Sequence, residues 1–276
     1  MKHEATMNNI DQMDYAGLAN YELADASRSL AEQVDAQAAL PTAASLLSDP
    51  QESGEGAGAA VAGGTLIAFA EGVTRQNKDD VMNSLLYATL AANVKYNPES
   101  QSDQWYGLFN TVLSKLGWLS TKWSYARYRA TQQRFTMDEV GLEILGSAIA
   151  AATLPGPASL AMLKVAKDAV TALSARKEPL RLFERQTKTH RGGNFRIAAC
   201  AESADGDVSL AMGAVAFSSN INVTNVMFWE WQNSDVETYK GENSLVFNTR
   251  VYASVRDVVQ KKLDENARNA LEEFDI

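Results

Sequence analysis

The stretch that decides the fold begins Gly193-Asn-Phe-Arg-Ile-Ala-Ala-Cys-Ala-Glu202, turns at Ser203-Ala-Asp-Gly-Asp207, and continues through an apolar run to Ser244-Leu-Val-Phe-Asn248. From Asn194 to Glu202 side-chain type alternates with period two. Phe195, Ile197, Ala199 and Ala201 share one face, and Arg196, Ala198, Cys200 and Glu202 share the other, as an extended strand requires. Asp205-Gly206 predicts a tight turn, because glycine takes the positive φ that such a turn needs. Residues 208–217, apolar on both faces, predict a second, buried strand. After the polar Ser218-Ser-Asn220, residues 224–232 predict a third strand carrying Val226, Met227, Phe228, Trp229 and Trp231. Lys240-Gly241 then leads into a short fourth over 244–248. The expectation is an antiparallel meander of about four strands.

Helix-forming sequence flanks it on both sides. Residues 11–38 predict a helix with Leu18, Tyr21, Leu30 and Val34 among alanines and acids, ended by Pro41. Residues 49–58 read as a loop, and 59–70, small and apolar without a polar face, as a close-packed helix. Val81, Leu85, Ala88 and Ala92 recur at helical spacing over 78–96, where Asn97-Pro98 stops the pattern. A longer helix is expected over 103–131, with a break near Gly117; it holds Trp105, Tyr106, Phe109, Trp118, Trp123, Tyr125 and Tyr128. Thr136-Met-Asp-Glu139 is a capping box opening an apolar helix over 140–152. Pro155-Gly-Pro157 separates it from another at 158–175. The basic segment 176–196 reads as a connector crossing the surface, and 249–274 as a last helix whose Val251, Val255, Val258, Val259 and Leu263 cover one side of the sheet. The fold class expected is α+β, mainly helical, in one unit over 1–276: an acidic helical region 1–55, an apolar helical region 57–176, the meander 193–248 and the helix 249–274.

Composition excludes several functions. A formal net charge of −9 over 276 residues argues against general nucleic-acid binding, which needs a basic surface to release counterions, and against adhesion of the whole protein to anionic lipid. One cysteine rules out an intramolecular disulfide framework, and two histidines leave no multi-histidine metal site. The polar first ten residues lack the apolar region of a signal peptide, which predicts synthesis in a cytoplasm and, if the protein leaves it, a leaderless route. Gly54, Gly56 and Ala59 match the spacing of a dinucleotide-binding loop, but no strand precedes them and no cofactor is expected. The acidic stretch up to Glu55 reads as solvated surface, with a protein partner as its alternative role.

The candidate functional residues are therefore few. Trp118, Trp123 and Arg127 belong to an aromatic run with interleaved bases, a composition suited to lipid headgroups as well as to core. Arg181, Arg185 and Lys188 lie in the basic connector, where contact with phosphate or lipid headgroups competes with plain solvation. Cys200 reads first as a buried thiol. A groove under the apolar helices would let it hold a fatty acyl thioester, and His190 offers a base for thiol catalysis with no orienting acid in evidence.

Length, a helical majority, a small late sheet and the lone cysteine within Arg196-Ile-Ala-Ala-Cys200-Ala-Glu-Ser203 resemble the Evf-like family of bacterial virulence factors. That resemblance implies an α/β fold, covalent palmitate on Cys200 and action during infection of an insect gut. The leading expectation is a non-enzymatic, toxin-like virulence protein that meets membrane or lipid. Three alternatives stay open: an α-helical pore-former inserting 57–70 and 140–175, a thioesterase or acyltransferase using Cys200, and an interaction protein with no lipid role.

Overall fold

The computed structural model describes residues 56–272 apart from 153, 222 and 224, so the helix expected over 11–38 lies outside the described residues. The centre is a mixed sheet of six strands in the order β1-β2-β5-β6-β8-β3. These are β1 (Gly58–Ala62), β2 (Thr65–Phe69), β3 (Trp118–Tyr128), β5 (Gly192–Glu202), β6 (Val208–Ser219) and β8 (Val236–Phe247). A separate ribbon pairs β4 (Arg134–Thr136) with β7 (Glu230–Gln232). The β2–β5 pairing is parallel, whereas β1–β2, β5–β6, β6–β8 and β8–β3 are antiparallel. On one face lie α1 (Arg75–Lys95), α2 (Ser102–Lys115) and α6 (Thr249–Glu272). On the other lie α3 (Met137–Ala151), α4 (Gly156–Ala175) and α5 (Lys177–Thr187).

The alternation along β5 is as its sequence requires. Phe195, Ile197 and Ala199 enter the core shared with α3 and α4, while Ala198 and Cys200 enter the core shared with α1 and α2. The class is α+β, with a larger sheet than the meander expected. Five elements depart from the sequence reading.

Residues 57–70 form a hairpin rather than a helix. Gly63 and Gly64, at φ 56° and 72°, make the two-residue turn between Ala62 and Thr65 that matches strand twist, and β2 is buried along its length, which hides the period of two. The helix expected over 103–131 ends at Lys115; Gly117, at φ 90°, turns the chain and Trp118 opens β3. Among the described residues of the strand expected over 224–232, only 230–232 are in a strand. Asn225 Oδ1 instead accepts the Met227 and Phe228 amides at 3.0 and 2.8 Å, and Met227 O accepts the first amides of α3. Finally β8 begins at Val236, well before 244, and the basic connector contains α5.

Other elements are as expected. Thr136 donates its amide to Glu139 at 3.0 Å, closing the capping box of α3, and Thr74 caps α1. The face of α6 is corrected in part. Val259 is buried and Tyr252 packs 5.3 Å from Phe247, but Val251 and Val258 are exposed. Much of its docking is onto α1, where Arg256 makes a bidentate pair with buried Asp80 at 2.7 and 2.9 Å.

α3 lies directly on the sheet. A Cβ built at Gly213 of β6 comes within 2.8 Å of the Gly141 carbonyl and the Leu145 amide, both backbone atoms that cannot rotate away. Gly213→Ala is expected to lower unfolding free energy by about 1–3 kcal/mol in urea titrations. Gly58→Ala, where an added Cβ meets nothing within 4 Å, is expected to leave it unchanged.

Candidate functional site

The residues singled out from the sequence fall into three separate places. Cys200 lies in the middle of the sheet, paired across strands with Phe69 and Leu210 and fully buried in the core that α1 and α2 cover. Burial pushes its thiol well above the usual range, with the Glu202 charge adding to the shift and Lys78 opposing it. A thiol of this kind is neither nucleophilic nor reachable in the folded state. An acyl chain carried there has to share the space now held by the neighbouring apolar side chains. His190 is exposed in the loop before β5, where its amide and that of Arg191 donate to Glu99 at 3.2 and 2.6 Å.

Trp118, Trp123 and Arg127 lie on β3, the last strand of the sheet, and not on a helix. Trp118 is wholly buried, its ring stacked 4.2 Å from Phe247, and so offers nothing to a bilayer; it is corrected to a core residue. Trp123 is 52% exposed and Arg127 pairs with Glu237 at 3.2 Å. Leu119 and Lys122 on the same strand are exposed as well.

Arg181, Arg185 and Lys188 gather at the other edge of the molecule. α5 packs Phe183 and Thr187 inward, with Phe183 edge-on to Phe195 at 5.9 Å. Helical spacing of i and i+4 aligns Arg181 and Arg185, and Lys188, the C-cap residue, follows them at the end of the helix, all three exposed, beside Leu182, itself 45% exposed. Glu184 turns inward and accepts the Val226 amide at 2.9 Å; burial holds its carboxyl above the usual range, with that amide and Lys188 opposing. Among the described residues the one salt bridge on the stripe is a loose contact of Arg181 with Glu178 at 3.6 Å. Bases in the last turn also complement the helix dipole, which accounts for Arg185 and Lys188 but not for Arg181. With the strand order β1-β2-β5-β6-β8-β3 and α5 against β1 and β5, the stripe and β3 cannot form one surface.

Two features went unread in the sequence. Thr238, Lys240, Glu242 and Ser244 occupy successive positions on one face of β8, all buried beneath α3. Lys240 pairs with Glu242 at 3.2 Å, Ser147 reaches the same carboxylate at 3.3 Å, and Ser244 donates to the Ala148 carbonyl at 2.6 Å. Residues 238–244 are polar at nearly every position, so no alternation marks them as a buried strand. The second is Arg196, 2% exposed between the β1–β2 turn and α2. Its Nε donates to Thr65 Oγ1 at 2.8 Å, its Nη2 to the Gly63 carbonyl, and its guanidinium lies 4.7 and 5.1 Å from the Trp105 and Phe109 ring centroids. Burial brings it down to about 9, against an opposing contribution from Tyr106. Among the described residues no group of three or more His, Cys, Asp or Glu side chains is placed to hold a metal ion.

No family model matches the chain, and no curated protein does. Among solved structures, a delta-endotoxin aligns over 75% of this chain and 91% of its own, at 13% identity and a TM-score of 0.39. A score that low carries neither fold nor function, and the resemblance to the Evf-like family stays one of sequence layout.

Two outcomes follow from the burial of Cys200 and Arg196. Protein with an unmodified thiol is expected to be inert to an aromatic disulfide reagent near pH 8 and to react fully once unfolded in denaturant; fast reaction of the native protein would show that the strand opens. Arg196→Lys is expected to lower stability by about 2–4 kcal/mol in denaturant titrations, since an ammonium does not reach the carbonyl and hydroxyl together or lie flat on two rings.

Proposed function

We propose that the protein is a toxin-like factor that associates with membranes through the basic face of α5. The observation that carries this reading is the stripe of Arg181, Arg185 and Lys188 beside exposed Leu182, on a helix whose opposite side is anchored in the core. Cations held at the rim of an apolar side chain suit the boundary between anionic headgroups and acyl chains. The overall charge of −9 does not oppose this. Residues 1–55 hold ten carboxylates against Lys2 and Arg28, a formal −8, which leaves −1 on residues 56–276. At physiological salt the field of a charge fades within about 8 Å, so the local stripe decides.

The helical pore-forming reading is weaker, because residues 57–70 are a hairpin within the sheet. Among the described residues no helix is long and apolar enough to cross a membrane. α3 and α4 retain its apolar hairpin, α3 over the polar face of β8 and α4 over β2 and β5, and leakage of a trapped dye distinguishes a pore from surface binding. S-acylation at Cys200 is a separate proposal. It predicts that protein from its native producer carries the mass of about one C16 acyl chain, removed by neutral hydroxylamine.

Vesicle co-sedimentation tests the main reading. Binding to vesicles of phosphatidylcholine with phosphatidylglycerol is expected to weaken with rising salt. Replacing Arg181, Arg185 and Lys188 with alanine is expected to weaken it on the order of a hundredfold, with thermal stability unchanged. Equal binding by the triple variant would refute the assignment.

A further inference from the structure

At the opposite edge of the sheet, β3, β8 and α2 build a surface that the α5 reading leaves unused. Trp123, Tyr125 and Arg127 of β3 and Glu237 and Tyr239 of β8 all point to the α1–α2 face of the sheet. Tyr125 and Tyr239 lie parallel, with an interplanar angle of 3° and centroids 5.9 Å apart. Buried Tyr106 backs them, 5.3 Å from Tyr125 and 6.3 Å from half-exposed Trp123. It occupies the space over Gly241, where a Cβ would come within 2.6 Å of its ring. Tyr125 and Tyr239 are half-buried, with the Tyr125 hydroxyl enclosed, whereas Trp123 keeps about half its surface exposed against this backing.

The rim is polar. Tyr239 donates to Glu237 at 3.2 Å, and Glu237 pairs with Arg127 at 3.2 Å. Asp103 is exposed in the first turn of α2, three residues before Tyr106; its charge raises the Tyr125 and Tyr239 phenols, secondary to burial and, for Tyr239, to Glu237. Arg127 and Glu237 also line a cleft of about 480 Å³ together with Arg129, Asn233 and Ser234. That is within the roughly 300–1,000 Å³ of small-ligand sites.

We propose that this aromatic shelf and the cleft beside it bind a neutral carbohydrate. Trp123, half-exposed beside the stacked Tyr125–Tyr239 pair, offers an aromatic surface for the C–H face of a pyranose, whose polarised hydrogens meet the negative face of the ring. The carboxylates of Asp103 and Glu237 accept from sugar hydroxyls, and Arg127 and Asn233 donate to them. A quaternary ammonium is the other ligand of aromatic clusters, but enclosing it takes several exposed ring walls, and Tyr106, the ring tilted 60° to Trp123, is buried. A phosphate ligand would meet two carboxylates at the same rim.

Saturation-transfer NMR on the full chain tests this, with methyl glucoside, methyl galactoside, methyl N-acetylglucosaminide and the corresponding β-linked disaccharides as probes. Transfer to the ring hydrogens of one sugar face is expected for at least one probe. Trp123→Ala and Asp103→Asn, both at exposed positions, are expected to weaken that binding at least about tenfold while melting temperature and binding to anionic vesicles are unchanged. Absence of transfer to every probe would overturn the proposal, as would equal transfer in Trp123→Ala. Trp123-dependent binding to pure phosphatidylcholine vesicles without any sugar signal would also overturn it, making the shelf a lipid contact. Because the α5 triple variant keeps Trp123, failure here and failure of the membrane reading are separable.

Discussion

The buried guanidinium of Arg196 is the constraint on which one half of the molecule depends. Among the described residues it has no carboxylate partner, so its charge is balanced by a carbonyl, a hydroxyl and two ring faces. Those groups belong to three elements: the turn at Gly63, strand β2 at Thr65, and α2 at Trp105 and Phe109. Loss of any one leaves a cation in a dry interior, a cost far greater than that of one ordinary hydrogen bond. The same residue fixes the hairpin from its backbone, donating its amide to the Gly64 carbonyl at 3.0 Å. Gly63 and Gly64 are thereby doubly required: the turn needs their positive φ, and Thr89 and the guanidinium fill the space that Cβ atoms would take.

The opposite face of the sheet follows a different logic. α3 approaches β6 through Gly141 and Gly213, and what it covers on β8 is polar. Lys240 and Glu242 neutralise one another there, Ser147 donates to the same carboxylate, and Ser244 ties β8 to the Ala148 carbonyl of α3. A buried pair of this kind is weak evidence for stability but costly to break on one side. It restricts how α3 can sit, because a shift along β8 would strand both charges. One layer is thus held by a cation among aromatic rings and the other by an ion pair under a helix.

Much of this was legible, and the failures have physical causes. The helices at 78–96, 140–152 and 158–175 are amphipathic or capped, and both signals are local. The faces of β5 followed from its alternation, including the burial of Cys200. Residues 59–70 misled because a strand buried on both faces loses its alternation, although Gly63-Gly64 was a turn signal in plain view. Trp118 to Tyr128 misled because aromatic residues serve helix and strand alike, and Gly117 marked the change of structure. Polar Thr238, Lys240, Glu242 and Ser244 were unreadable as core, since nothing local says that a lysine and a glutamate two residues apart will be enclosed together. The stripe on α5 required knowing that 177–187 is helical with Phe183 inside; as a connector, its bases had no common direction.

Charge and exposure together place the two candidate contact surfaces at opposite edges of the sheet, α5 by β1 and the aromatic shelf on β3. The most direct test of α5 as the lipid-facing element uses nitroxide labels at Leu182→Cys and, separately, at Trp123→Cys, with vesicles containing phosphatidylglycerol; Cys200 is enclosed and leaves the labelling site-specific. On binding, the label at 182 should lose access to a water-soluble relaxant and gain access to oxygen, while the label at 123 stays in water. A label at 182 that remains fully water-accessible on bound protein would contradict the assignment of α5 to the membrane.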